Sequence, residues 1–105
     1  MVVTFDKPYL RELYENSATK DKKHRFQPDI IKRYIKGIDI LKRVKTLEEL
    51  YLYQALNYEK LTGNKAGLSS IRVNNKYRIE FETKVNEKQP VITICNIIEL
   101  SNHYK

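Results

Sequence analysis

Apolar residues recur along the chain with two different periods, and the periods assign the elements. From Pro28 to about Val44, the residues Ile30, Ile31, Tyr34, Ile35, Ile38, Leu41 and Val44 return every three or four positions. That spacing makes one apolar stripe of an amphipathic helix. Asp29 in its first turn and Lys42, Arg43 and Lys45 near its end complement the helix dipole. A shorter helix is expected over residues 8–16, where Pro8 suits a first turn and Leu10, Leu13 and Tyr14 fall at helical spacing. Thr46-Leu47-Glu48-Glu49 has the capping-box pattern and should open a helical turn reaching about Tyr53. Residues 54–62 show no assignable period.

Period two appears elsewhere. Val2 to Phe5 reads as a short strand. Ser70 to Phe81 reads as a hairpin, with Ile71 and Val73 on one face of the first arm and Tyr77, Ile79 and Phe81 on one face of the second. A two-residue turn at Asn74-Asn75 would pair Ile71 with Arg78 and set a charge on the apolar side. A three-residue connection, Asn74 to Lys76, pairs Val73 with Tyr77 and Ile71 with Ile79, so the apolar pattern selects it. Such a loop needs one residue in the left-handed region, which Asn tolerates. In this register Arg72 and Arg78 stand opposite each other on the polar, solvent-exposed face. Like charges placed so are destabilising, and a bound anion would explain them. After a turn-rich stretch, Asn86 to Pro90, the nearly continuous apolar run Val91 to Leu100 suits a central strand. The order is strand, two or three helices, then three strands. The expected architecture is α+β, a small antiparallel sheet with two or three helices packed on one face. The 105 residues fit a single domain, 1–105.

Charge narrows the class. Twenty Lys and Arg against 13 Asp and Glu give +7, which favours polyanionic partners. The one cysteine, Cys95, lies in an apolar run and is expected to be a small buried thiol. With no intrachain disulfide possible, a reducing cytoplasm is the expected location. Met1 to Asp6 lacks the basic and apolar regions of a secretion signal, and no apolar run approaches the roughly 20 residues of a membrane helix. No membrane association is therefore expected.

Candidate chemistry gathers around the hairpin. Arg72 and Arg78 have the geometry to bind phosphate. Lys65, between Gly63 and Gly67, can reach a phosphate as a point charge, although the loop is not a Walker motif. His103 is the best titratable catalyst, and its neighbour Tyr104 can stack on a base. His24, in the lysine-rich connector of residues 17–25, reads as solvated surface. No His, Asp or Glu spacing suggests a metal site, and no cofactor is implied.

The stretch Leu61-Thr62-Gly63-Asn64-Lys65-Ala66-Gly67-Leu68-Ser69-Ser70-Ile71-Arg72-Val73-Asn74-Asn75-Lys76-Tyr77-Arg78-Ile79 resembles the core of the RelE/ParE toxin superfamily, and most closely its HigB branch. That branch has a leucine and glycine, a basic glycine-flanked loop, Ser-Ile-Arg-(Ile/Val)-Asn and an aromatic-Arg-hydrophobic triplet. The final strand running into His103 is also similar. The resemblance implies a RelE-like fold and the toxin of a type II toxin–antitoxin pair. It implies a metal-independent ribonuclease that cuts messenger RNA on the ribosome, with a helix-turn-helix, HigA-like antitoxin as partner. Lys65, Arg72 and Arg78 match the basic loop and the hairpin arginines, and His103 the terminal histidine. On this reading Arg72, Arg78 and His103 are catalytic, while Lys65, Lys76 and Tyr104 bind substrate. In one departure, Ser101-Asn102 stand where HigB proteins often have Asp-Tyr before the histidine, so the acid that could orient the imidazole is missing. The alternatives are a ParE-like, noncatalytic inhibitor of DNA gyrase and a noncatalytic RNA- or ribosome-binding module.

Overall fold

The computed structural model describes residues 1–86 and 92–102. Strand β1 (Val2–Phe5) leads into helices α1 (Pro8–Asn16) and α2 (Pro28–Arg43). Strands β2 (Glu59–Lys60), β3 (Ser69–Arg72), β4 (Arg78–Asn86) and β5 (Ile92–Ser101) follow. They form one sheet in the order β1-β5-β4-β3-β2. The α+β class stands, but the sheet is mixed. β1 runs parallel to β5, with Val2 beside Ile94, while the other pairs are antiparallel. A parallel pair needs a long crossover, and everything from α1 to β4 supplies it.

Local chemistry sets the helix limits. Pro8 and Pro28 occupy first turns. Ser17, with φ of 59°, closes α1 by donating its backbone N–H to Leu13 O at 3.1 Å. The α2 stripe is the core seam. Ile30, Tyr34, Ile38, Leu41 and the following Val44 are buried, and the Tyr34 hydroxyl donates to Leu10 O at 2.7 Å, tying α1 to α2. Gly37 is buried under the side chains of Ile79 and Ile71. A Cβ there would lie 2.9 Å from Ile79 Cδ1 and 3.4 Å from Ile71 Cδ1.

Two local expectations change. After Thr46 the chain forms a 3-10 turn over Leu47–Leu52, and the Thr46 side chain makes no capping bond. The acid does not close the box either, because Glu49 Oε2 accepts from Lys45 N, one residue before the cap, at 2.8 Å. Residues 54–62 hold a second 3-10 turn, Gln54–Leu56, and the short β2. The hairpin has the expected register, with Ile71 beside Ile79, Arg72 beside Arg78 and Val73 N donating to Tyr77 O at 2.9 Å. Its turn, however, uses no left-handed Asn. Among the described residues, only Ser17 and Asn57 are non-glycine residues with positive φ. The Asn74 side chain closes the turn instead, its Oδ1 accepting from Lys76 N at 2.9 Å and Tyr77 N at 2.8 Å. An Asx side chain can thus mimic a backbone turn without positive φ. Cys95 is buried as expected, and burial pushes its thiol up to about 11. Among the described residues no helix is long and apolar enough to cross a membrane.

Candidate functional site

The ladder registers gather polar residues on the sheet face opposite the Ile71–Ile79 core. Ser70 faces Glu80 and Glu59, Arg72 faces Arg78, Glu80 faces Glu99, and Arg78 faces Ser101. Directly opposed residues share a face, so the two hairpin arginines come together as expected.

Their environments differ. Arg72 is exposed, and its guanidinium donates to Asn74 O at 3.2 Å and to the Asn75 side chain within its own turn. Arg78 is only 6% exposed, which overturns the expectation of a solvent-exposed side chain. Its Nε donates to Ser70 Oγ at 2.8 Å, its Nη2 donates to Asn57 O, and Glu59 Oε1 lies 3.9 Å away. The cause is local. Asn57 takes a left-handed conformation just before β2, and the returning chain brings its carbonyl to the guanidinium. Each arginine therefore has its own acceptors, which offsets the like-charge contact.

Lys65 also has a partner inside the protein. Gly67, at φ of 93°, helps the loop after β2 turn back, and Lys65 Nζ reaches Glu80 Oε2 at 2.6 Å. Glu80 is 1% exposed. A carboxylate so buried needs a cation or several donors, and Lys65 supplies the charge. Residue-type reasoning missed Glu80 as a site residue. Its signal was present in the period-two alternation Arg78-x-Glu80, which puts an acid on the arginine face. Lys76 stands exposed on the turn. His103 and Tyr104 lie outside the described residues.

His24 is not simply solvated. Its ring stacks on Tyr9, centroids 3.6 Å apart, and its Nδ1 lies 2.9 Å from Asp21 Oδ2. The His24 hydrogen bond leads the causes that hold the Asp21 carboxyl below its ordinary value. Burial pushes the Tyr9 phenol up to about 12. Among the described residues no three His, Cys, Asp or Glu side chains cluster as metal ligands. Two arginines paired in register, one with an exposed guanidinium and one with a buried, hydrogen-bonded one, are of the residue type that holds a phosphoryl group through its oxygens.

Comparison with known proteins points the same way. Residues 3–93 match the model of a family described as the RelE-like toxin of the type II toxin–antitoxin system HigB. Toxin HigB-1 of Vibrio cholerae serotype O1 (strain ATCC 39315 / El Tor Inaba N16961) is 32% identical over 83 residues, spanning 78% of this chain and 83% of that protein. In shape the chain is similar to a solved YoeB/ParE toxin from Agrobacterium tumefaciens, with a TM-score of 0.61 and 15% identity. That match covers 99% of this chain and 100% of the other, and at this identity it speaks for the fold alone.

Proposed function

The chain belongs to the HigB-like family of RelE-like toxins of type II toxin–antitoxin systems, and we propose that it is a ribosome-dependent endoribonuclease that cleaves messenger RNA. The observation that carries this reading is the pairing of Arg72 with Arg78 on one polar face of the sheet. The chemistry is attack by a ribose 2′-hydroxyl on the adjacent phosphorus, in line with the leaving 5′-oxygen. The products are a 2′,3′-cyclic phosphate and a 5′-hydroxyl. Charge builds on the phosphoryl oxygens as the bond forms. Preorganised guanidinium donors there are worth more than donors that must reorient from solvent. Arg78 is held by Ser70 and Asn57 and needs no reorientation. Arg72 lies exposed beside it and can exchange its turn acceptors for phosphate.

In this reading Lys65 supports the site through Glu80, fixing the loop and adding positive potential. His103, assigned by family resemblance, moves the proton to the 5′-oxygen or from the 2′-hydroxyl. Tyr104 stacks on a base, and Lys76 contacts the backbone. The partner is the cognate antitoxin, which we take to be a HigA-like helix-turn-helix protein with an acidic segment, since complementary charge speeds capture of a basic toxin.

The test uses purified protein with ribosomes programmed by a labelled message. Cleavage in the reading frame is expected, and Arg72→Ala should slow it about a hundred- to thousandfold, the usual cost of one transition-state donor. Intact message together with blocked gyrase supercoiling would replace this reading with noncatalytic gyrase inhibition. Ribosome binding with neither effect would make the chain a binding module.

A further inference from the structure

Two clefts adjoin along the seam between α2 and the tip of the β3–β4 hairpin, and they share Arg33. One, of about 570 Å³, has Lys76, Tyr77 and Asp29 in its walls. The other, of about 630 Å³, has Lys36, Arg72, Tyr53 and Gln54. Both volumes fall in the range of small-ligand sites. The seam is open because β2 pairs only with Ser69 and Ser70, so among the described residues no strand covers β3 beyond them.

The lining has a definite chemistry. Among the described residues, four cations, Arg33, Lys36, Arg72 and Lys76, line the two clefts against the single carboxylate Asp29. Each cleft also holds one tyrosine, and Gly37, Ile40, Leu56 and Val73 add an apolar floor. A lining that combines cations with aromatic rings suits a polymer that alternates phosphates with planar bases. An added protein strand fits less well. It would pair with the free edge of β3 through groups such as the Val73 carbonyl, to which Arg33 Nη1 already donates at 3.5 Å. The Gln54 amide can exchange hydrogen bonds with a base edge.

We propose that this seam is a binding track for single-stranded RNA, holding the nucleotides next to the phosphate that Arg72 engages. The placement of that phosphate rests on the ribonuclease reading. Arg72 belongs both to the paired-arginine face and to the seam, so a strand bound at the first continues into the second.

The test measures binding apart from cleavage. The full chain is titrated into a short, fluorescent single-stranded RNA with every 2′-hydroxyl methylated, which cannot be cut through 2′-attack. Lys36→Glu should weaken binding at least tenfold near 0.1 M salt. It should also make the slope of log affinity against log salt shallower by about 0.7, one phosphate contact on a single strand. Tyr53→Ala should weaken binding about five- to hundredfold, the loss of one stacked base, with the slope unchanged. Lys84→Glu, the same charge change at an exposed position on β4, should stay within about threefold of wild type. Lys36 is exposed, so that variant tests the track even if the half-buried Tyr53 proves necessary for folding.

Equal losses for Lys36→Glu and Lys84→Glu would reduce the effect to net charge and overturn the track. So would a wild type that does not bind the RNA, or a Lys36→Glu variant that loses antitoxin while keeping RNA. The ribonuclease reading fails separately. Uncut message with Lys36-dependent binding removes catalysis and leaves the track, whereas cut message with binding indifferent to Lys36 does the reverse.

Discussion

Arg72 and Arg78 face each other in one ladder, yet their substitution should have different consequences. Arg78 donates to the buried Ser70 hydroxyl and to the part-buried Asn57 carbonyl, so Arg78→Ala removes two hydrogen bonds and strands a buried hydroxyl. We expect its unfolding free energy in urea to fall by about 1–3 kcal/mol. Arg72→Ala, losing only exposed contacts in its turn, should stay within about 0.5 kcal/mol of wild type. Equal stability of the two variants would contradict the buried network. Alternation could place both arginines on one face, because that follows from the period of a strand. It could not show that Arg78 is covered, because the cover comes from Asn57, and residues 54–62 carry no period. For the same reason Lys65 reads from its glycine-flanked loop as a phosphate contact, while its carboxylate partner lies 15 residues on, in β4.

At the scale of elements, helices were the most legible part, and their packing the least. The α2 stripe predicts which residues face the sheet but not that Gly37 is closely covered by the side chains of Ile79 and Ile71. Two effects compete in Gly37→Ala. Removing a mid-helix glycine is worth roughly 1 kcal/mol. The new methyl would meet Ile79 Cδ1 at 2.9 Å in a fully packed core, and overpacking typically costs about 1–3 kcal/mol. Ile79→Val deletes the carbon in the way, at a cost of about 0.5–1.5 kcal/mol by itself. The double variant should therefore be more stable than the two single effects predict, by at least about 0.5 kcal/mol. Chemical denaturation of all four proteins measures this coupling, and strict additivity would show that α2 can shift to admit the methyl. The hairpin turn gives a further lesson. Its length was legible because only one register keeps charge off the core. The Asn74 side-chain closure was not, because an Asn in a turn can act through its backbone or through its amide.

Across the whole molecule, the sequence pattern places a strand near the start of the chain and another near its end, but no periodicity says that they pair. The parallel contact of β1 with β5 joins residues more than 90 positions apart, and only the assembled core makes it favourable. That core also sets how the protein should respond to alkali. Burial is the leading cause that raises Tyr9 from 10.0 to about 12, Cys95 from 9.0 to about 11, and Tyr34 further still. A raised folded value means that the neutral form is favoured in the fold. The associated stability is complete below the unfolded value and is lost as pH rises through the folded one. Loss should thus begin near pH 9 with Cys95 and steepen above pH 10, when both tyrosines join. Each group contributes at most about 1.4 kcal/mol per pH unit, and because each is only partly titrated across this interval the three together come to about 3 kcal/mol per unit between pH 10 and 11. Deprotonation of lysines relaxes the self-repulsion of a +7 chain and works the other way, but folded and unfolded states share much of that relief. Urea midpoints measured from pH 7 to 11 should stay level to about pH 9 and then fall. In parallel, phenolate absorbance should show part of the tyrosine signal appearing only with unfolding. A flat stability profile through pH 11, or complete phenolate formation in folded protein, would mean that Tyr9 and Tyr34 are open to hydroxide and that the α1–α2 seam is looser than the Tyr34 to Leu10 hydrogen bond requires.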